Sequence, residues 1–145
     1  MSLQKSKYHS DNILNWEKGT AMPTAPVTLY VALLTTMPTK NDGTSLVEVS
    51  ATGTAYARQA ITGSTGWNAI VTNADNVTEQ VTNNGAVTYP ACGATNYGTV
   101  VGVAIYDALT VGNLIEYGTL TSGSQVVNTG NVFSIPIGNL TRQEA

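Results

Sequence analysis

The side chains with most chemical potential in this chain are two carboxylates, Asp107 and Glu116, which flank a stretch of hairpin character. Two acids held about 5–10 Å apart across a cleft can hydrolyse a glycosidic bond, one protonating the leaving oxygen while the other attacks or activates water. Asp107 opens a turn, however, and aspartate is an ordinary turn residue, so the pair also has a structural reading that needs no substrate. Asp75 and Glu79 offer oxygen ligands for calcium, yet calcium needs a larger cluster, and two solvated acids in an Asn-rich stretch are the simpler account. Cys92 is the single cysteine, which excludes an intrachain disulfide. A catalytic thiolate needs a base, and the one histidine, His9, lies in a polar N-terminal stretch where a solvated or interfacial imidazole is expected. Cys92 therefore reads as a small, partly buried apolar side chain. No HExxH, CxxC, Walker or GxGxxG pattern is present, so zinc, phosphate and dinucleotide chemistry lack their anchors. The expectation is a non-enzymatic protein without catalytic residues, cofactor or metal.

Composition points the same way. The 145 residues suit one domain with its own core. Hydrophobic residues make up 42% and the net charge is only −3, so the chain is expected to fold. Four of the six Lys and Arg lie in the first forty residues, which leaves no basic stripe to meet phosphates, and no nucleic-acid partner is expected. The longest apolar stretch, residues 27–34, is too short to span a bilayer as a helix, and no membrane partner is expected. The polar start lacks an apolar signal-peptide core, which implies synthesis and retention in the cytoplasm until assembly.

Abundant Thr, Asn, Gly and Ser disfavour long helices and suit short strands joined by tight turns. One short helix is predicted over residues 10–19, capped by Ser10 or Asp11 and ended by Gly19, with Trp16 off the Ile13 and Leu14 face and free to dock on a neighbour. Residues 27–35 alternate with both faces apolar, which predicts a central strand. Residues 56–62 form a second strand, and 67–71 and 86–89 weaker ones. Between those two, residues 72–85 are either a strand pair or a long loop, with Asn84-Gly85 as a turn dipeptide. The best hairpin runs from 100–106 through a turn at 107–112 to 114–120, followed by strands near 125–127 and 132–137; Pro136 marks the last as an edge or a bulge. Turn signals recur roughly every 8–12 residues, the pattern of a sandwich or barrel. The expected fold is all-β: a single jelly-roll-like β-sandwich of roughly eight strands over residues 27–145, with residues 1–26 as an N-terminal arm carrying the helix.

Five motifs stand in order along the chain: Leu29-Tyr30-Val31-Ala32-Leu33 leading to Pro38; Tyr56-Ala57-Arg58; Val87-Thr88-Tyr89-Pro90; Gly98-Thr99-Val100 leading to Asp107; and Gly112-Asn113-Leu114 leading to Tyr117-Gly118. The ordered set covers nearly the whole chain. It resembles a family of small phage virion proteins commonly called tail fibre proteins. Tyr97 stands where that pattern usually has Trp, and Ala55 where Gly is common.

The resemblance implies a component of a bacteriophage particle. A compact module without repeats or a coiled-coil shaft fits a capsid decoration, or cement, protein that binds the major capsid protein lattice, as a trimer at symmetry axes, and stabilises the head. The alternative is a tail fibre or tail-associated protein that recognises the host surface. On the capsid reading the expected docking element is the N-terminal arm, with Lys5, Lys7, Tyr8 and Trp16 as the candidate contacts, each interface burying on the order of 1,000 Å² or more.

Overall fold

The computed structural model describes Met1 and residues 3–144. In chain order its elements are β1 (Gln4–Lys5), α1 (Lys7–Glu17), β2 (Thr28–Thr36), β3 (Val47–Glu48), β4 (Gln59–Thr62), β5 (Val71–Thr72) and β6 (Glu79–Thr82). There follow β7 (Val87–Thr88), β8 (Gly98–Val100), β9 (Gly102–Tyr106), β10 (Leu114–Thr119), β11 (Gln125–Val127), β12 (Ser134–Ile135) and β13 (Thr141–Glu144). All pairings are antiparallel. The principal sheet runs β1-β10-β9-β2-β3, with β4 also on β2, and the remaining strands form β11-β8, β12-β7 and β13-β6-β5. The fold is all-β and of sandwich type, as the strand spacing predicts.

Strand β2 is central because its sequence is apolar on both faces. Leu29, Val31 and Leu33 face one core, shared with Val103 and Ile105 of β9 and with Val87, Val100, Val127 and Ile135 from the smaller sheets. Ala32 and Leu34 face a second, smaller core with Ala104, Tyr106 and Tyr117. Residues 31–34 are wholly buried, and each large side chain there contributes about 1.5–3 kcal/mol relative to exposure.

Burying β2 creates a demand that the ladder alone does not meet. On the side away from β9, β4 pairs with residues 28–31 and β3 with Leu34 and Thr36, so the partner changes in mid-strand. At the change, the Leu33 N–H donates to the Tyr56 hydroxyl at 2.9 Å, and the Leu33 carbonyl accepts from the Val49 N–H. The Tyr89 hydroxyl donates to the Val31 carbonyl at 2.9 Å. Two tyrosines thus supply bonds to a strand that water cannot reach. Their rings stack, with centroids 5.9 Å apart, and Tyr97 and Phe133 pack edge-on around them. Burial, and next the Glu48 carboxylate, push the Tyr56 phenol far above its usual range, so it stays a donor.

Several elements differ from the sequence reading. Helix α1 starts earlier, at Lys7, because Ser6 rather than Ser10 or Asp11 caps it and accepts from the His9 N–H. Gly19 ends it as expected, at φ +89, with its N–H on the Trp16 carbonyl. The strand expected at 56–62 covers only β4, because Tyr56 and Arg58 turn their side chains to other tasks. The stretch at 100–106 is interrupted at Val101, whose N–H goes to Leu34 while β8 pairs with β11. Residues 72–85 hold the strand pair rather than the loop, and Trp67 makes only an isolated bridge to Asn83. Pro136 lies just beyond β12, which is cut to two residues. Strands β1, β3 and β13 had no apolar signal: none of their residues is buried, and they form by pairing with β10, β2 and β6.

Ala55 sits in the left-handed region at φ +62, next to the load on Tyr56. An L side chain there costs about 1–2 kcal/mol, whereas glycine gives back about 0.5–1 kcal/mol through its freer unfolded chain. Ala55→Gly is expected to stabilise the fold by about 0.5–1 kcal/mol in chemical denaturation. Tyr56→Phe is expected to cost about 2 kcal/mol in the same assay, because the Leu33 N–H is left buried without an acceptor.

Candidate functional site

The two acids with catalytic spacing in sequence are each committed to structural bonds. Glu116, on β10, has a side chain only 4% exposed. It accepts from Arg142 of β13, Nε at 3.0 Å and Nη2 at 2.8 Å. His9 of α1 brings Nδ1 to 3.4 Å from the same carboxylate. That nitrogen is buried and not aligned for a hydrogen bond, so Arg142 is the firmer partner. Burial works against the Glu116 charge, but His9 and Arg142 outweigh it and hold the carboxyl below its usual value. The Arg142 guanidinium also lies 5.3 Å from the Trp67 ring centroid. Asp107 accepts from the backbone and side-chain nitrogens of Asn113, both at 2.7 Å, and so closes the turn between β9 and β10. His9, expected to be solvated or interfacial, is instead a helix residue packed against a buried acid.

A second charged knot joins elements that the sequence gives no reason to connect. Arg58 makes a paired contact with Glu48, Nε at 3.0 Å and Nη2 at 2.8 Å, and its Nη1 donates to the carbonyls of Ala108 and Val111. Its guanidinium carbon lies 3.6 Å from the Tyr106 ring centroid. Glu48 also accepts from the Tyr56 hydroxyl at 2.7 Å. The Tyr-Ala-Arg motif is therefore a framework motif: Tyr56 completes β2, and Arg58 fastens β3 to the turn after β9.

The other candidates resolve in the same direction. Asp75 accepts from the N–H groups of Val77 and Thr78, and Glu79 from the Thr72 hydroxyl, so these acids shape their own hairpin. The Thr78 hydroxyl, then the backbone N–H groups, hold the Asp75 carboxyl below its usual value. Cys92 is buried and accepts from the Tyr97 N–H at 3.1 Å. The buried Asn83, which sequence reading passed over, donates to the Gly85 and Pro136 carbonyls and accepts from the Leu140 N–H. Five of the seven tyrosines are buried, which leaves Tyr8 and Tyr30 as the partly accessible ones.

The four candidate docking residues separate. Lys5 on β1 pairs with Glu144, and Lys7 pairs with Asp11 one helical turn on. Tyr8 is half-buried at the helix base. Trp16 is 60% exposed. No residue of α1 is buried, and the helix is held through its start: Ser6 donates to the Leu114 carbonyl and Lys7 N–H to the Asn41 carbonyl. From position 14 to position 27 every residue is exposed, among them the large apolar side chains Leu14, Trp16, Met22 and Val27. Leu14, Met22 and Val27 were not among the predicted contacts, because a short segment with two prolines carries no periodicity to expose them.

One family model, described as Podophage GP4 fiber I protein gp80, matches residues 4–143. No curated protein matches the chain.

Removing Arg142 leaves a buried carboxylate unpaired, so Arg142→Ala is expected to cost about 3 kcal/mol in denaturant unfolding. The Glu116 carboxyl titrates below its ordinary value of 4.5 in the fold. Its pairing therefore stabilises the protein above that pH and is lost as pH falls through the lowered value. Glu116→Gln is expected to flatten the acid limb of the stability profile, measured by thermal unfolding at successive pH values.

Proposed function

This chain belongs to the Podophage GP4 fiber I protein gp80 family, and we propose that it is a non-enzymatic fibre component of the phage tail, attached to the particle through its N-terminal segment. The family name favours the fibre over the capsid-cement reading that compactness alone suggests. The observation that carries the attachment surface is the unbroken exposure of residues 14–27 with four large apolar side chains. Monomeric proteins keep contiguous apolar surface small, and aromatic side chains dominate binding energy where they are desolvated. Trp16 is the anchor of this surface, and Leu14, Met22 and Val27 are exposed along the same segment.

The role asked of the rest of the fold is rigidity. The two acids singled out for catalysis, Asp107 and Glu116, are spent on a turn and an ion pair, which supports a structural rather than a catalytic part. A trimer bound to the major capsid protein is the second reading. It is supported by the absence of any long helix or shaft among the described residues.

The test is incorporation. Particles assembled with Trp16→Ala or Met22→Ser in place of the native chain are expected to lack the protein after purification, while both purified variants keep the native unfolding midpoint. Full incorporation of both would remove the N-terminal segment as the attachment surface.

A further inference from the structure

Helix α1, residues 22–26 and the principal sheet enclose a cleft of about 340 Å³. Its apolar lining comes from Pro23, Pro26, Leu29 and Ile115. The same lining includes the polar side chains of Tyr8, His9, Asn12 and Arg142. Their bonding capacity is only partly used. The Tyr8 hydroxyl and the Asn12 amide have no partner among the described residues. Arg142 gives Nε and Nη2 to Glu116, which leaves Nη1. His9 turns Nδ1 to Glu116, which leaves Nε2.

We propose that this cleft binds one pyranose ring of a neutral saccharide. A pyranose has apolar C–H faces and a rim of hydroxyls that both donate and accept. The cleft offers an apolar lining, two groups that donate and accept (Tyr8 and Asn12), and one spare donor (Arg142). Its volume lies at the small end of the range for ligand sites, about 300–1,000 Å³, which suits a single ring. Charge decides against an anion: the Arg142 cation is already compensated by Glu116, and Asp107 lines the same cleft. A purely apolar side chain is disfavoured, because it would strip water from Tyr8, Asn12 and Arg142 without replacing their hydrogen bonds. The cleft shares residues 22–26 with the exposed segment, and its polar lining sets it apart from the apolar side chains of Leu14, Trp16 and Val27. Its biological sense, a contact with host-surface glycan, rests on the fibre reading.

The experiment is an amide-resolved NMR titration of the purified full chain with glucose, galactose, mannose and N-acetylglucosamine at millimolar concentration. Saturable shifts are expected for the Tyr8, Asn12, Ala25 and Ile115 amides with at least one sugar. Asn12→Ala is expected to weaken binding about tenfold, the worth of one good hydrogen bond, and Val126→Ala on distant β11 to leave it unchanged. Each variant's own spectrum reports that it is folded. No saturable shift with any of the four sugars overturns the proposal, as do shifts confined to other regions or binding that survives both Asn12→Ala and Tyr8→Ala. Particle location is read separately: a tail-borne chain that binds no sugar keeps the fibre reading and loses this site, whereas a head-borne chain that binds sugar does the reverse.

Discussion

The fold depends on satisfying the backbone of one buried strand. Strand β2 is wholly enclosed over residues 31–34, yet its outer partner changes from β4 to β3 within that stretch. A buried N–H or carbonyl without a partner costs as much as a hydrogen bond is worth, so a gap here would undo the gain from the apolar side chains around it. Tyr56 and Tyr89 fill the gap with hydroxyls, and their stacked rings add apolar contact in the same place. Tyr56 in turn leans on Glu48, Glu48 on Arg58, and Arg58 on the Tyr106 ring and the turn carbonyls of Ala108 and Val111. The chain of contacts runs from the centre of the sheet to a surface loop.

A second constraint fixes the N-terminal region. Leu3 is in the main core, β1 pairs with β10, and the Leu3 N–H reaches the Thr141 carbonyl. The Glu116 and Arg142 pair ties β10 to β13 beneath the helix. Met1 and residues 3–6 are thus built into the body, whereas residues 14–27 are exposed. The base of this segment is held by the sheet, and its large apolar side chains are exposed.

Much of this was legible from the residues. The alternation at 27–35 gave the central strand, turn residues gave the late hairpin, and Gly19 gave the helix end. The all-β class followed from composition, and the family pattern from ordered motifs. The reasons for those motifs were not legible. Tyr56-Ala57-Arg58 reads as a strand because its residue types favour one, and only the change of partner along β2 shows why a tyrosine and an arginine are needed there. Strands β1, β3 and β13 are too short or too polar to carry periodicity, and their pairing is set by residues elsewhere along the chain. Asn83 gave no signal beside the turn dipeptide Asn84-Gly85; its three side-chain bonds to Gly85, Pro136 and Leu140 need the folded ends of two loops to exist. Of the candidate docking residues, Trp16 is exposed, whereas Lys5 and Lys7 pair within their own chain.

The central claim is that this chain is a fibre component of the tail, and its place on the particle tests that claim most directly. Gold labelling of intact particles with an antibody to this chain, read by electron microscopy, is predicted to mark the tail alone. Label spread evenly over the head would contradict the account and make the capsid lattice the partner of residues 14–27.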